Sequence, residues 1–341
     1  MSRIRIIRSG LCSTVQDRGR TGYRHIGVPL GGALDAMAHE LANQLVGNPF
    51  EMATIEMTLT GDEIEFSDDT LVAITGADMA PTLHDNSERL LPVVQHCPML
   101  IAAGSRIRFQ TSRRGCRSYL AIAGGVDVPV VMGSRSTALR AAFGGHCGRM
   151  LTAGDDLALG TPSETGRQMF EQLSAVRSGT GRPVQPNWFV RPIDLPKPDI
   201  ATLRIISGTH TPWLSSSGLE RLLNAAFRIS SRSDRMGYRL TDQRLELELR
   251  DELLSEGVIP GTIQLPPDGN PILLMADCAP TGGYPRIGHV ITADLGIAAQ
   301  LRPGQLVGFA MVTLDQAQVF FRQQQQMLTK ALIMAELMIQ R

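Results

Sequence analysis

Apolar and polar positions along the chain alternate in short stretches broken by glycine, proline and other turn residues. Leu71–Thr75, Arg106–Gln110, Ser118–Ala123, Thr202–Ile206, Ile272–Met275 and Leu306–Ala310 have the length and the β-branched composition of strands. Helical spacing is rarer. After Gly31-Gly32 it shows in Leu34, Met37, Ala38, Leu41 and Leu45 and stops at Gly47-Asn48-Pro49. Further helices are expected over Ser217–Ala226, capped by Ser217, over Ala293–Gln300, capped by Thr292, and from Asp315 to the end. The pattern predicts a mainly β protein with a few helices.

An internal repeat refines this expectation. Asp17-Arg18 with Gly22-Tyr23-Arg24 is answered by Asp234-Arg235 with Gly237-Tyr238-Arg239. Thr54–Met57 is answered by Thr262–Leu265, Leu71–Ile74 with Ala77-Asp78 by Ile272–Met275 with Ala276-Asp277, and Gly104–Phe109 by Gly304–Phe309. The matches keep the same order, which predicts two similar β-barrel domains related by duplication, with Asp78 and Asp277 at equivalent strand ends. The prolines of 161–199 mark a connection between them. The expected division is 1–160, the connection 161–199, 200–314, and a C-terminal helix over 315–341.

Composition narrows the chemistry. The 341 residues carry 33 Lys+Arg and 33 Asp+Glu, so the basic excess of a nucleic-acid binder is missing. Lys197 and Lys330 are the only lysines, and neither lies in a phosphate-loop or Schiff-base setting, so arginine and backbone N–H groups must hold any anion. Five scattered cysteines without a Cys-x-x-Cys pair read as reduced thiols in a cytoplasmic protein. The seven histidines include no metal-binding spacing, and no metal is expected. The first residues, with charges among the isoleucines, read as a strand rather than a signal peptide, and no apolar run is long enough to span a membrane.

Candidate chemistry gathers in glycine-rich loops, where missing side chains make room for a ligand. In the second half, Arg235 and Asp277 are the expected catalytic pair. Tyr238, Gln264, Gly282, Gly283, Tyr284 and Arg286 are the expected substrate contacts, with a structural Arg235–Asp277 ion pair as the competing reading. In the first half, Asp17, Arg18, Arg20, Arg117, Ser134, Arg135 and Ser136 form a candidate anion site, against a loop pinned by Asp17 with Arg18 or Arg20. Asp78 is expected to close a turn rather than to catalyse.

These same loops carry a resemblance. Gln16-Asp17-Arg18-Gly19-Arg20 with Gly22-Tyr23, Gly27-Val28-Pro29, Thr75–Asp78, Tyr119–Gly125, Gly133–Thr137, Asp234–Leu240 and Thr281–Pro285 are similar to the allophanate hydrolase subunit 2 family. The resemblance implies cyclophilin-like β-barrels and a heteromeric enzyme. In the family's 5-oxoprolinase branch (the KipA type, its C-type chain), ATP is used together with an A-type chain and a KipI-type, or B-type, chain to open 5-oxoproline to L-glutamate. The single chain is expected to be inactive alone. In its urea carboxylase branch, a carboxyltransferase accepts a carboxyl group from biotin carried on another chain. A regulatory role, binding a KipI-type kinase inhibitor, is a third implication. The chain departs from the family where a Gly-Pro pair is expected, having Ser207-Gly208-Thr209-His210-Thr211-Pro212, and its C-terminal helix runs past the match.

Overall fold

The computed structural model describes residues 2–85, 89–176, 184–190, 195, 200–248 and 253–339. Part of the expected connection (177–183, 191–194 and 196–199) and the last two residues of the expected terminal helix lie outside the described residues. The protein is mainly β, in two compact units. The first comprises Met1–Gly19, Asp35–Leu195 and Met327–Arg341, and the second Arg20–Leu34 and Pro196–Gln326. Residues 20–34, sequence neighbours of the first unit, therefore fold with the second.

In the first unit the strands divide between two sheets rather than closing into one ring. One sheet runs in the order Asp156–Ala158, Arg3–Arg8, Glu63–Phe66, Arg106–Arg108, Thr82–His84, Leu90–Pro92. The other runs Cys12–Gln16, Thr54–Thr58, Arg114–Ile122, Thr70–Asp78, Pro98–Ile101. Strand alternation fixes what each face does. In the first sheet Ile4, Ile6, Ile64, Phe66 and Ile107 enter a core shared with Val15, Ile55, Met57, Val72, Leu120 and Ile122 of the second. On the second sheet's other face a row of register partners, Thr14, Glu56, Tyr119 and Thr75, is wholly buried and polar. It closes on itself: the Tyr119 hydroxyl donates to the Glu56 carboxylate at 2.8 Å and accepts the Asp35 N–H at 2.8 Å.

The helix Ala36–Gln44 packs on this sheet, with the Asp35 carboxylate accepting the Ala38 N–H at 3.1 Å as its N-cap. A second helix, Glu164–Ala175, lies within the stretch expected as connection, and the Ser163 hydroxyl caps it by accepting the Gly166 N–H. Its approach explains Gly47, which has a φ of 69° and where a Cβ would stand 2.6 Å from the Gly166 nitrogen. Asp78 closes a turn as expected, its carboxylate accepting the Ala80 N–H at 2.9 Å.

The second unit contains a closed barrel. Its strands follow the order Ile200–Ser207, Arg286–Val290, Thr262–Gln264, Ile272–Leu274, Gly237–Thr241, Phe227–Ile229, Leu306–Met311, and the last pairs in parallel with the first. Leu203, Ile205, Phe227, Leu240, Ile263, Leu273, Ile287, Val307 and Phe309 belong to one core cluster. Three helix expectations shift. Ser216–Asn224 is capped by Ser215 rather than Ser217, because Ser215 is the residue whose hydroxyl reaches the Gly218 N–H. Thr292 begins a 3-10 turn, Thr292–Asp294, without capping through its side chain, and the α-helix covers only Leu295–Ala299. The terminal helix is Leu314–Ile339.

The repeat-matched strands have different neighbours in the two units. Thr54–Thr58 pairs with Cys12–Gln16 and Arg114–Ile122, whereas Thr262–Gln264 pairs with Ile272–Leu274 and Arg286–Val290. Asp78 is the last residue of its strand, while Asp277 lies beyond the end of Ile272–Leu274.

Asp62 gives this fold a pH dependence. It is fully buried in the first unit; one carboxylate oxygen accepts the Gly10 N–H at 2.6 Å and the Ser13 hydroxyl at 2.8 Å, and the other has no partner among the described residues. Burial pushes its pKa up to about 6. The folded value lies above the unfolded one, so its contribution is complete below pH ~4 and is lost as pH rises through about 6. Asp62→Asn keeps the accepting oxygen and removes the charge. Urea unfolding between pH 4 and pH 7.5 should show the variant gaining on the wild type by on the order of 2 kcal/mol across that interval. A constant difference across the same range would mean that Asp62 is ionised throughout.

Candidate functional site

Barrel geometry sets the face on which Gln264 and Arg286 stand. Ile263 and Ile287 point into the core, so their chain neighbours Gln264 and Arg286, register partners across two adjacent strands, point out of it. They remain covered. The strand pair Glu256–Gly257 and Thr281–Gly282 forms a small ribbon of its own. A Cβ on Gly282 would stand 2.5 Å from the Gln264 amide nitrogen, so any other residue there would push the Gln264 side chain aside. Glu256 pairs with the Arg286 guanidinium, whose Nη1 also donates to the Gly257 carbonyl at 3.3 Å.

Two donors here have no acceptor among the described residues. Gln264 is 5% exposed and its Nε2 is buried without a hydrogen-bond partner; the Nε of Arg286 is in the same condition. Buried N–H groups are almost always paired, because an unpaired one costs about 1–3 kcal/mol. A neighbouring pair that is not paired by the protein is a place for acceptor atoms from outside it. His210 fixes the strand beneath: its Nδ1 accepts the Arg286 N–H at 3.1 Å, and its own backbone N–H donates to the Arg286 carbonyl at 3.0 Å. A Cβ on Gly208 would stand 2.3 Å from that carbonyl oxygen, which is why the departure from the expected Gly-Pro pair still holds a glycine. Burial and the Arg286 charge hold the His210 pKa below its usual value, so the ring is neutral, with its proton on Nε2.

Arg235 and Asp277, expected as catalytic groups, are spent on each other. Nε and Nη2 of the guanidinium meet the two carboxylate oxygens at 2.9 and 3.0 Å, and Nη2 also donates to the Gly32 carbonyl at 2.6 Å. Together with the Gly31 N–H to Ala276 carbonyl bond at 3.0 Å, the pair ties residues 20–34 to the end of the barrel. Arg24 adds bonds to the carbonyls of Val258 and Pro280. Arg20 is buried within this loop, its N–H on the Leu30 carbonyl at 2.7 Å. Of the other expected substrate contacts, Tyr238 belongs to the barrel core, Gly283 lies on the ribbon's continuation and Tyr284 is 45% exposed.

In the first unit the expected anion site already holds an anion. The Asp17 carboxylate accepts the hydroxyls of Ser134 at 2.6 Å and Ser136 at 2.5 Å, and the N–H groups of Arg135 at 2.5 Å and Gly19 at 2.8 Å. Arg18 turns to Glu40 and Glu51 at 3.4 and 3.9 Å, and the buried Arg117 faces Glu56 at 3.8 Å. Among the described residues no group of three or more His, Cys, Asp or Glu side chains is placed to hold a metal ion, and no helix is long and apolar enough to cross a membrane. His210 and Glu256 were missed as site residues by sequence reasoning; the one available signal was the altered Ser207–Pro212 segment.

The family model for the carboxyltransferase domain, subdomains A and B, matches residues 26–311, which include every one of these second-unit side chains except Arg20 and Arg24. The chain belongs to this family. Carboxyltransferase-domain relatives include the C-type chain of 5-oxoprolinase from Escherichia coli (strain K12), 38% identical over 314 residues that cover 92% of this chain and 93% of that protein. The protein of the same name from Haemophilus influenzae is 35% identical, covering 89% and 90%. Among solved structures, Kluyveromyces lactis urea carboxylase superposes with a TM-score of 0.82 at 26% identity, covering 96% of this chain but 29% of the much longer enzyme.

The Arg235–Asp277 pair should behave as scaffold. Its side chains are 7% and 14% exposed, and removing one partner of such a pair strands a buried charge at a cost of about 3–5 kcal/mol. Arg235→Ala should therefore melt well below the wild type, and Arg235→Ala with Asp277→Ala should recover part of the loss. A near-normal melting temperature for the single variant would return Arg235 to the list of ligand contacts.

Proposed function

We propose that this chain is the C-type component of an ATP-dependent 5-oxoprolinase, a hydrolase complex that opens 5-oxoproline to L-glutamate, in which it works with an A-type chain and a KipI-type, or B-type, chain. Near full-length similarity to two bacterial proteins of that name supports the reading, and the unpaired donors of Gln264 and Arg286 carry it to a place on this chain. 5-Oxoproline offers acceptors of the matching kind, a carboxylate and a lactam carbonyl. A lactam is a poor electrophile until electron density is drawn from its oxygen, and transfer of the γ-phosphoryl group of ATP to that oxygen, with ADP leaving, would supply that activation. N–H donors carried on barrel strands and aimed at the developing charge lower its energy. In this reading Gln264 receives the lactam oxygen, Arg286 the carboxylate, and Arg235 with Asp277 acts as a positioning pair.

The second reading is a carboxyltransferase component receiving a carboxyl group from biotin on another chain, favoured by the superposition on urea carboxylase. The two part in one assay. Co-purified with its partner chains, the protein should hydrolyse ATP in proportion to added 5-oxoproline and release glutamate, with no effect of avidin, while the chain alone should turn over nothing. Inhibition by avidin, or dependence on bicarbonate and urea, would replace the first reading with the second.

An orphan donor kept for a ligand predicts opposite effects on stability and function. Gln264→Met removes an unpaired buried amide and keeps its volume, so it should raise stability by about 1–3 kcal/mol. The same change should raise the KM of the complex for 5-oxoproline at least tenfold, about 1.4 kcal/mol of lost binding. A destabilised variant with an unchanged KM would make Gln264 a structural side chain.

A further inference from the structure

The ribbon Glu256–Gly257 and Thr281–Gly282 does two things at once. It sets Gly282 against the Gln264 Nε2, leaving that atom no accessible surface, and it lays the Glu256 carboxylate on the Arg286 guanidinium. A ligand cannot reach either donor while the ribbon keeps this position. The ribbon itself is slight, two residues on each side joined by one short antiparallel pairing. It is tied down at one end, where the buried Val258 bonds Pro280 and both carbonyls take the Arg24 guanidinium, so Glu256 and Gly282 are the part free to lift. Its Glu256 side chain is 47% exposed, so water is at hand to solvate the carboxylate once it leaves. The Arg286 backbone is anchored from behind, through its bonds with His210, so the strand that carries the guanidinium keeps its place if Glu256 lets go.

We propose that Glu256 is a stand-in for the ligand's carboxylate: in the free chain it occupies the Arg286 guanidinium, and a small carboxylate ligand displaces it, lifting the ribbon from Gln264. The proposal rests on the site reading given above and adds its gate. The exchange suits the chemistry at both ends. A guanidinium binds one carboxylate in place of another with its hydrogen-bond geometry unchanged, so the ligand must supply the same group that Glu256 gives up. A neutral amide of similar size, lacking that carboxylate, gains nothing from Arg286 and leaves the ribbon closed. Selection for carboxylate-bearing substrates over their amide analogues is thereby built into the resting structure, because the wrong ligand must compete against an internal charge without one of its own.

The internal competitor also lowers affinity by the fraction of time the site is closed, and relieving it should tighten binding. In the assembled complex, Glu256→Gln keeps size and polarity but gives up the competing charge. Its KM for 5-oxoproline should fall at least threefold, with the melting temperature near that of the wild type. Exchange of the Val258 N–H, which donates to the Pro280 carbonyl at 3.0 Å, should quicken in the free variant and, in the wild type, on saturation with 5-oxoproline. An unchanged or higher KM for Glu256→Gln, measured beside a raised KM for Gln264→Met, would overturn the gate and keep the site. An unchanged KM for Gln264→Met would overturn the site and the gate with it.

Discussion

Closure of the second unit's barrel is the constraint on which its chemistry depends. A strand in a closed barrel has one face for the core and one for everything else, and the faces alternate residue by residue. With Ile263 and Ile287 committed to the inside, Gln264 and Arg286 are committed to the outside at matching register. Parallel pairing of Ile200–Ser207 with Leu306–Met311 completes the ring, and the antiparallel pairing of the same strand with Arg286–Val290 brings Ser207 to His210 alongside Arg286. A one-residue slip in either strand would exchange these polar side chains with isoleucines, so the site and the core are specified by the same alternation.

Much of the fold was open to reading from sequence, for local physical reasons. The helix after Asp35 follows from apolar spacing and a capping carboxylate a few residues apart. Strand composition gave the β character, and a glycine turn beside Asp78 gave its role. The errors came where partners are distant. Ser215 and Ser217 are equally good caps in isolation, and only the position of the Gly218 N–H decides between them. The helix Glu164–Ala175 was hidden by the prolines on either side of it, and residues 20–34 belong with the second unit through bonds to Arg235 and Ala276, more than two hundred positions away.

The candidate site was legible by residue type and illegible by state. Glycines beside arginines and amides did mark the neighbourhood, and Gln264, Gly282 and Arg286 do meet there. Arg235 and Asp277 carry the same chemical promise in a sequence, yet each saturates the other. Tyr238 faces the core because its strand alternation puts it there, whatever its hydroxyl could do elsewhere. Sequence reveals which groups could bind; it does not reveal which of them the protein has already satisfied.

Comparison of Asp17 with Gln264 makes that distinction physical. The turn Ser134-Arg135-Ser136 presents hydroxyl and N–H donors as an anion site would, and the protein fills it with its own carboxylate. These hydroxyl and N–H donors are taken by Asp17, so the arrangement contributes to holding the first unit together. At Gln264 and Arg286 the filling is incomplete: Glu256 takes part of the guanidinium, a glycine stands against the amide, and two buried N–H groups have no acceptor among the described residues. Folding alone would favour a leucine or methionine at 264, since an unpaired buried amide weakens the fold while an apolar side chain strengthens it. A cost of that kind, borne beside a half-exposed carboxylate, is the physical ground for reading Gln264 and Arg286 as a candidate site and the Asp17 turn as a packed loop.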